Sequence, residues 1–165
     1  MKEFDHTVPL SAVKRFLREE WEKGCECPAC GQFVKMYRRE LTSSMAWGLA
    51  LLCKWDIETG GKFVDVRRLI ELYHAPQEVR GNLPMLRWWE LIEPKMAGKR
   101  AIPGFYKVTV KGMKFFSGEI DVPEAALVYN NKLQGYSKET VTYKKASKNK
   151  FDLDRLMAVP LSKAG

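Results

Sequence analysis

Between residues 83 and 110 the apolar periodicity changes once, and that change constrains the fold more than any other feature. Leu83, Leu86 and Trp89 recur at three-residue steps, the spacing of one helix face. Leu91-Ile92-Glu93 then turns into a strand that Pro94 ends, and Met96–Gly104 (MAGKRAIPG) reads as a loop. Phe105–Val110 (FYKVTV) alternates apolar and polar residues, the pattern of a half-buried strand. A helix stripe followed by two strand patterns predicts a mixed α+β domain.

The flanking segments extend this order. Thr42, Ser43 and Ser44 are N-cap candidates for a helix carrying Met45, Leu49, Leu52 and Cys53, with Ala46, Ala50 and Ile57 alongside. Thr59-Gly60-Gly61 should end it. Lys62-Phe63-Val64 is long enough for one edge strand, and Asp65 can cap a helix over Val66–Tyr73. His74-Ala-Pro-Gln is a connector. Asn82 is then the expected cap of the third helix, with Pro84 in its first turn, where a missing N–H costs nothing. Lys111–Phe116 should begin another helix, stopped by Ser117-Gly118.

The termini read differently. Leu10, Val13, Leu17 and Trp21 form a helical stripe with Phe16 beside it, ended at Gly24. Cys25-Glu-Cys-Pro-Ala-Cys-Gly31 is a tight knuckle. Gln32–Leu41 fits a helix or a strand equally well. In the tail, Ala126–Tyr129 and Leu133–Tyr136 flank Asn130-Asn131-Lys132 as a hairpin, Thr140–Tyr143 is a strand candidate, and Phe151, Leu153, Leu156 and Met157 suggest a short closing helix. The expected organisation is residues 1–41 as a helix with a Cys knuckle, 42–118 as the main domain, and 119–165 as a β-rich extension.

Helix, small strand, helix, helix, strand, loop, strand resembles the generic bacterial winged helix. The residues that carry the resemblance are Leu83-x-x-Leu86-x-x-Trp89-x-Leu91-Ile92-Glu93, the basic loop, and Tyr106-x-Val108-Thr109-x-Lys111-Gly112. It covers about residues 43–118. It implies that the third helix buries its leucine stripe on the first two and that a β-hairpin wing closes the open side of the core. The whole chain is also similar to small bacteriophage proteins that join a Cys-Pro-x-Cys-Gly knuckle to a downstream "tryptophan-glycine-leucine-isoleucine"-like segment. Here Glu90 stands where that pattern has glycine. This second resemblance implies a phage source and the cytoplasm of a bacterial host, but no chemistry.

Charge supports a polyanion partner or a solvated surface. The chain carries a net +8, and residues 76–118 hold eight basic groups against three acidic ones. Six basic residues and no acid lie from Lys95 to Lys114, and six with one acid lie from Lys132 to Lys150. In a DNA-binding winged helix the third helix enters the major groove and the wing touches phosphate or minor groove. By position, the resemblance offers Gln77, Arg80, Asn82, Met85 and Arg87 on the helix, and Lys95, Lys99 and Arg100 on the wing, with Lys107 in the following strand. Arginine can read guanine and asparagine can read adenine. Gly81 and Pro84 weaken the helix, and many winged helices bind protein instead. The expected partner is therefore double-stranded DNA, in a regulatory or architectural role. The alternative is a host protein, such as a defence nuclease, that the chain inhibits or redirects. A homodimer is compatible with either.

Cys27-Pro-Ala-Cys30-Gly31 has the turn that lets two thiolates face one metal, and Cys25 is a candidate third ligand. The expected cofactor is none, or one structural zinc on Cys25, Cys27 and Cys30. Cys53 sits in an apolar stripe and reads as a small core residue. His6 and His74 are the only histidines, and there is no second Cys-x-x-Cys. Neither a phosphate-binding glycine loop nor an HExxH occurs, and no nucleophile–base order stands out, so a non-enzyme is expected. No apolar run approaches the ~20 residues of a membrane span. The N-terminus, which has acids and no apolar core segment, predicts no secretory signal.

Overall fold

The computed structural model describes residues 7–159; His6 lies outside them. In chain order the elements are α1 (Leu10–Glu20), β1 (Cys25–Glu26), β2 (Phe33–Val34), β3 (Tyr37–Glu40), α2 (Ser43–Thr59), β4 (Val64–Asp65), α3 (Val66–Leu72), α4 (Gln77–Asn82), a 3₁₀ stretch (Leu83–Trp89), β5 (Ile92–Ala97), β6 (Arg100–Val108), α5 (Val110–Phe116), β7 (Val122–Pro123), β8 (Ala125–Tyr129), β9 (Lys132–Tyr136), β10 (Thr140–Val141), α6 (Tyr143–Ser147) and α7 (Leu153–Ala158). The protein is mixed α+β, with small antiparallel sheets.

The described residues divide into two compact units, 7–39 with 125–136, and 40–124 with 137–159. The segment 119–165, read above as one extension, is shared between the units.

In the smaller unit α1 lays Val13, Leu17 and Trp21 against Cys27 and Val34, and Trp21 meets Tyr129 with ring centroids 5.3 Å apart. The ambiguous segment 32–41 is strand: β2 pairs with β1, and β3 joins the sheet β3-β8-β9. The hairpin expected at Asn130-Asn131 forms, with both asparagines at positive φ (49° and 56°), as a two-residue turn between right-twisted strands requires.

In the larger unit α2 is the central element. It is buried from Ser44 through Trp55 except at Trp47, so its core face extends well beyond the expected stripe. Thr42 caps it, its hydroxyl accepting from the Met45 N–H. Gly60 ends it with a φ of 71°. Even Lys54 is buried, 1% exposed. Its ammonium donates to Glu58 Oε1 (3.0 Å) and to the Met157 carbonyl (3.4 Å), which supplies the partners a buried charge needs. Asp65 caps α3 as expected, accepting from the Arg67 N–H at 2.9 Å.

The third helical segment differs from expectation at its start. It begins at Gln77, not at Asn82, and Asn82 makes no capping bond. At Leu83 it tightens to 3₁₀ geometry. Pro84 supplies the reason: without an N–H it cannot bond to the carbonyl four residues back, so an α-helix cannot continue through it. Leu83, Leu86 and Trp89 are all buried, as their spacing predicted. Leu83 presses so closely on α2 that a Cβ at Gly48 would lie 2.9 Å from its Cδ1.

The strands β4, β6 and β5 form one antiparallel sheet in that order, with β6 in the middle. The expected loop over Met96–Gly104 is instead mostly strand. β5 and β6 continue to Ala97 and Arg100, and only Gly98-Lys99 turns between them. Gly98, at a φ of 62°, gives the turn the handedness a two-residue hairpin needs.

Candidate nucleic-acid interface

The third helical segment and the β5–β6 hairpin carry the residues selected from sequence. Gln77, Arg80 and Arg87 are exposed. Arg87 lies over the face of Trp88, 6.0 Å from its centroid. Met85 is half-buried, and Leu86 beside Arg87 is fully buried, so the register that turns Arg87 outward is the observed one. Asn82 is otherwise engaged. Its amide donates to Ser44 Oγ at 2.8 Å, tying the third segment to the start of α2, and it is half-buried.

On the hairpin Lys95, Lys99 and Arg100 are exposed, with Lys99 and Arg100 at the tip. Lys95 lies 5.8 Å above the Phe105 ring. Lys107 points into a different setting. It pairs with Glu93 across the strands at 3.0 Å and lies 4.9 Å over Phe63, so its charge is largely matched within the fold. The hairpin thus offers three exposed cations with no ion pair among the described residues, on a two-stranded arm whose register shifts between Pro94 and Met96.

A latch fixes the junction between the third segment and this hairpin. The 3₁₀ stretch ends at Glu90, a non-glycine residue at a φ of 59°. Thr109, at the far end of β6, closes on it. Its N–H donates to the Leu91 carbonyl (3.0 Å), its hydroxyl donates to the Glu90 carbonyl (2.6 Å), and the same hydroxyl accepts from the Gly112 N–H (3.0 Å). At Gly112 a Cβ would collide with the Leu91 carbonyl oxygen. That gives the Thr109-x-Lys111-Gly112 signature a physical meaning: threonine caps α5, and glycine lets α5 approach the backbone of Leu91. Trp89 adds a further tie, its indole N–H donating to the Pro123 carbonyl at 2.7 Å.

Two features escaped the sequence reading. The Gly98-Lys99 turn was legible as a hairpin signal, since glycine between strand patterns marks such turns. Asn82's internal bond was not, because its partner lies 38 residues away. The basic run from Lys132 to Lys150 is exposed at Lys144, Lys145, Lys148 and Lys150, on and after α6, as a second basic surface of the larger unit.

Elsewhere, electrostatics report structure. The Arg67 side chain, hydrogen-bonded to Asp65, holds that carboxyl below its ordinary range, against a smaller opposing effect of burial. Burial raises the Cys53 and Tyr143 groups, consistent with core roles; Tyr143 donates to the Ala46 carbonyl at 2.7 Å. Burial, with the Glu58 carboxylate nearby, pushes the Tyr73 phenol up to about 12.

Of the cysteines, Cys27 and Cys30 are brought together, with a hydrogen bond between their side chains. Cys27 is buried in the apolar cluster of the smaller unit, and Cys25 is partly buried against the same cluster, while Cys30 is exposed. Among the described residues no group of three His, Cys, Asp or Glu is placed to hold a metal ion. Also among them, no helix is long and apolar enough to cross a membrane.

Comparison with protein-family models, with curated proteins and with solved structures finds no match to this chain.

Proposed function

We propose that the larger unit is a winged-helix domain that binds double-stranded DNA in a regulatory or architectural role. The observation that carries this reading is the order α2-β4-α3-α4-β5-β6 with the sheet order β4-β6-β5, ending in a hairpin whose tip is basic. In this arrangement the third segment offers Arg80, Arg87 and Gln77 to the major groove, and Lys95, Lys99 and Arg100 contact phosphate. Asn82 and Lys107 leave the expected set, because each is occupied within the fold.

The test is binding to random and defined duplexes across a salt series. Four to six phosphate contacts predict a slope of log K against log salt of about −4 to −5. Charge reversal at Lys99 and Arg100 should weaken binding to all sequences alike. Salt-independent binding, or none at low salt, would refute the proposal and favour a protein partner.

A further inference from the structure

Within the larger unit a cavity of about 460 Å³ lies between the segment 151–159, which contains α7, and the surface formed by α2 and the end of α3. That volume falls in the range of small-molecule sites, about 300–1,000 Å³. Its walls are apolar and flat. Trp47 and Phe151 line it and stack on each other, with ring centroids 5.2 Å apart and planes 17° from parallel. Leu72, Leu156 and Val159 complete the apolar lining.

Both sides of the cavity are incompletely packed. Trp47 is the one residue of α2 from Ser44 through Trp55 that is not buried. Across from it, α7 has no buried residue, and its stripe of Leu153, Leu156 and Met157 is only half-buried. A helix packed on a core ordinarily buries its apolar stripe. Tyr73, a further lining residue, has a buried hydroxyl with no hydrogen-bond partner among the described residues. Folded interiors rarely leave such a group unsatisfied.

The charged part of the lining is asymmetric. Asp152 is engaged, its Oδ1 accepting from the Arg155 N–H at 2.9 Å. The Arg155 side chain is exposed and has no ion pair among the described residues. His74, also exposed, adds a ring nitrogen to the same lining. A guanidinium matches a carboxylate with two parallel hydrogen bonds.

We infer that this cavity binds a small planar aromatic carboxylate. Its ring lies against Trp47 and between Leu72 and Leu156, and its carboxylate meets the Arg155 guanidinium, with His74 as a second polar contact. Aromatic faces favour offset stacking, so a flat ring fits the wall that Trp47 presents. An aliphatic acid would leave that wall unmatched, and an aromatic cation would oppose Arg155.

The test is isothermal titration calorimetry of the full chain with naphthoate. Two controls accompany it: naphthalenemethanol, which has the ring without the charge, and cyclohexanecarboxylate, which has the charge without the aromatic face. The expected result is saturable binding of one naphthoate per chain, with each control weaker by about tenfold or more. Bound naphthoate should also raise the melting temperature. Arg155→Gln should lose about tenfold in affinity for naphthoate while naphthalenemethanol is unaffected, a split that misfolding would not produce. Leu156→Trp, which fills the cavity from α7, should abolish binding of both, with circular dichroism and melting temperature retained. No binding of naphthoate, uptake of many copies without saturation, or an Arg155→Gln variant that loses nothing would each overturn the inference. DNA binding is read out separately, so either proposal can fail without the other.

Discussion

Leu86 and Arg87 are neighbours with opposite assignments, and replacing each by alanine tests the register of the proposed reading segment. Leu86 is 0% exposed, and so are Leu83, Trp89 and Leu91 around it. Leu86→Ala removes three buried carbons, a transfer loss of about 2.4 kcal/mol at about 0.8 kcal/mol per carbon. The site cannot easily collapse, because the 3₁₀ stretch is tied by the Thr109 latch at one end and pressed on α2 at the other. The residual cavity should bring the total to about 3–5 kcal/mol. Arg87 is exposed and lies over the Trp88 face, so Arg87→Ala should cost about 0.5 kcal/mol. Equilibrium urea unfolding reads both values, with unchanged m showing that the unfolded state is comparable. In a DNA titration at fixed salt, Arg87→Ala should lose about 1–3 kcal/mol of affinity for the preferred site. If Leu86→Ala costs less than about 1 kcal/mol, or less than Arg87→Ala, the segment is rotated from its assigned register and the proposed reading face goes with it.

Two further outcomes follow from the same geometry. Gly112→Ala places a Cβ against the Leu91 carbonyl, which is backbone and cannot swing aside; it should cost about 3 kcal/mol, against less than 1 kcal/mol for Gly81→Ala, where the space is open. Thermal melts of the two variants decide it. Asp65 has its folded pKa lowered, so its contribution to stability is complete above the unfolded carboxylate range and is lost as pH falls through the folded value. Asp65→Asn should therefore flatten the acid limb of the stability–pH curve below about pH 4, with little change in that slope at neutral pH. An unchanged acid limb would show that the Arg67 contact does not hold in solution.

The local devices of the larger unit were legible without its structure. The caps at Thr42 and Asp65, the stop at Gly60 and the Leu83-Leu86-Trp89 stripe depend on side chains within a few residues of one another, so spacing alone reveals them. The exposed arginines and lysines of the candidate interface were legible for the same reason: a residue off the apolar stripe faces water. Two errors share one cause. Asn82 looked like a cap because its neighbours suit one, but the helix had begun five residues earlier, at Gln77, and its amide serves Ser44. The hairpin looked like a loop because Met96–Gly104 lacks alternation, yet Met96 and Ala97 are held by Ala101 and Arg100 across the strands, and the register shift beyond them breaks any regular pattern.

What the amino-acid sequence determined by itself is therefore the helices α1, α2, α3, α5 and α7, the β8–β9 hairpin, and the positive charge carried between residues 76 and 118, but neither the start of α4 nor α6, whose first residue it assigned to a strand. Only the tertiary structure decided that 125–136 returns to pair with β3, that Lys54 can be buried, and that Cys27 is buried in an apolar cluster while Cys30 stays exposed. Each depends on a partner outside its own element: β8 for β3, Met157 for Lys54, and Val13 of α1 for Cys27. A backbone hydrogen bond between strands carries no sequence code, and a buried ammonium is tolerable only once its acceptors have been brought to it.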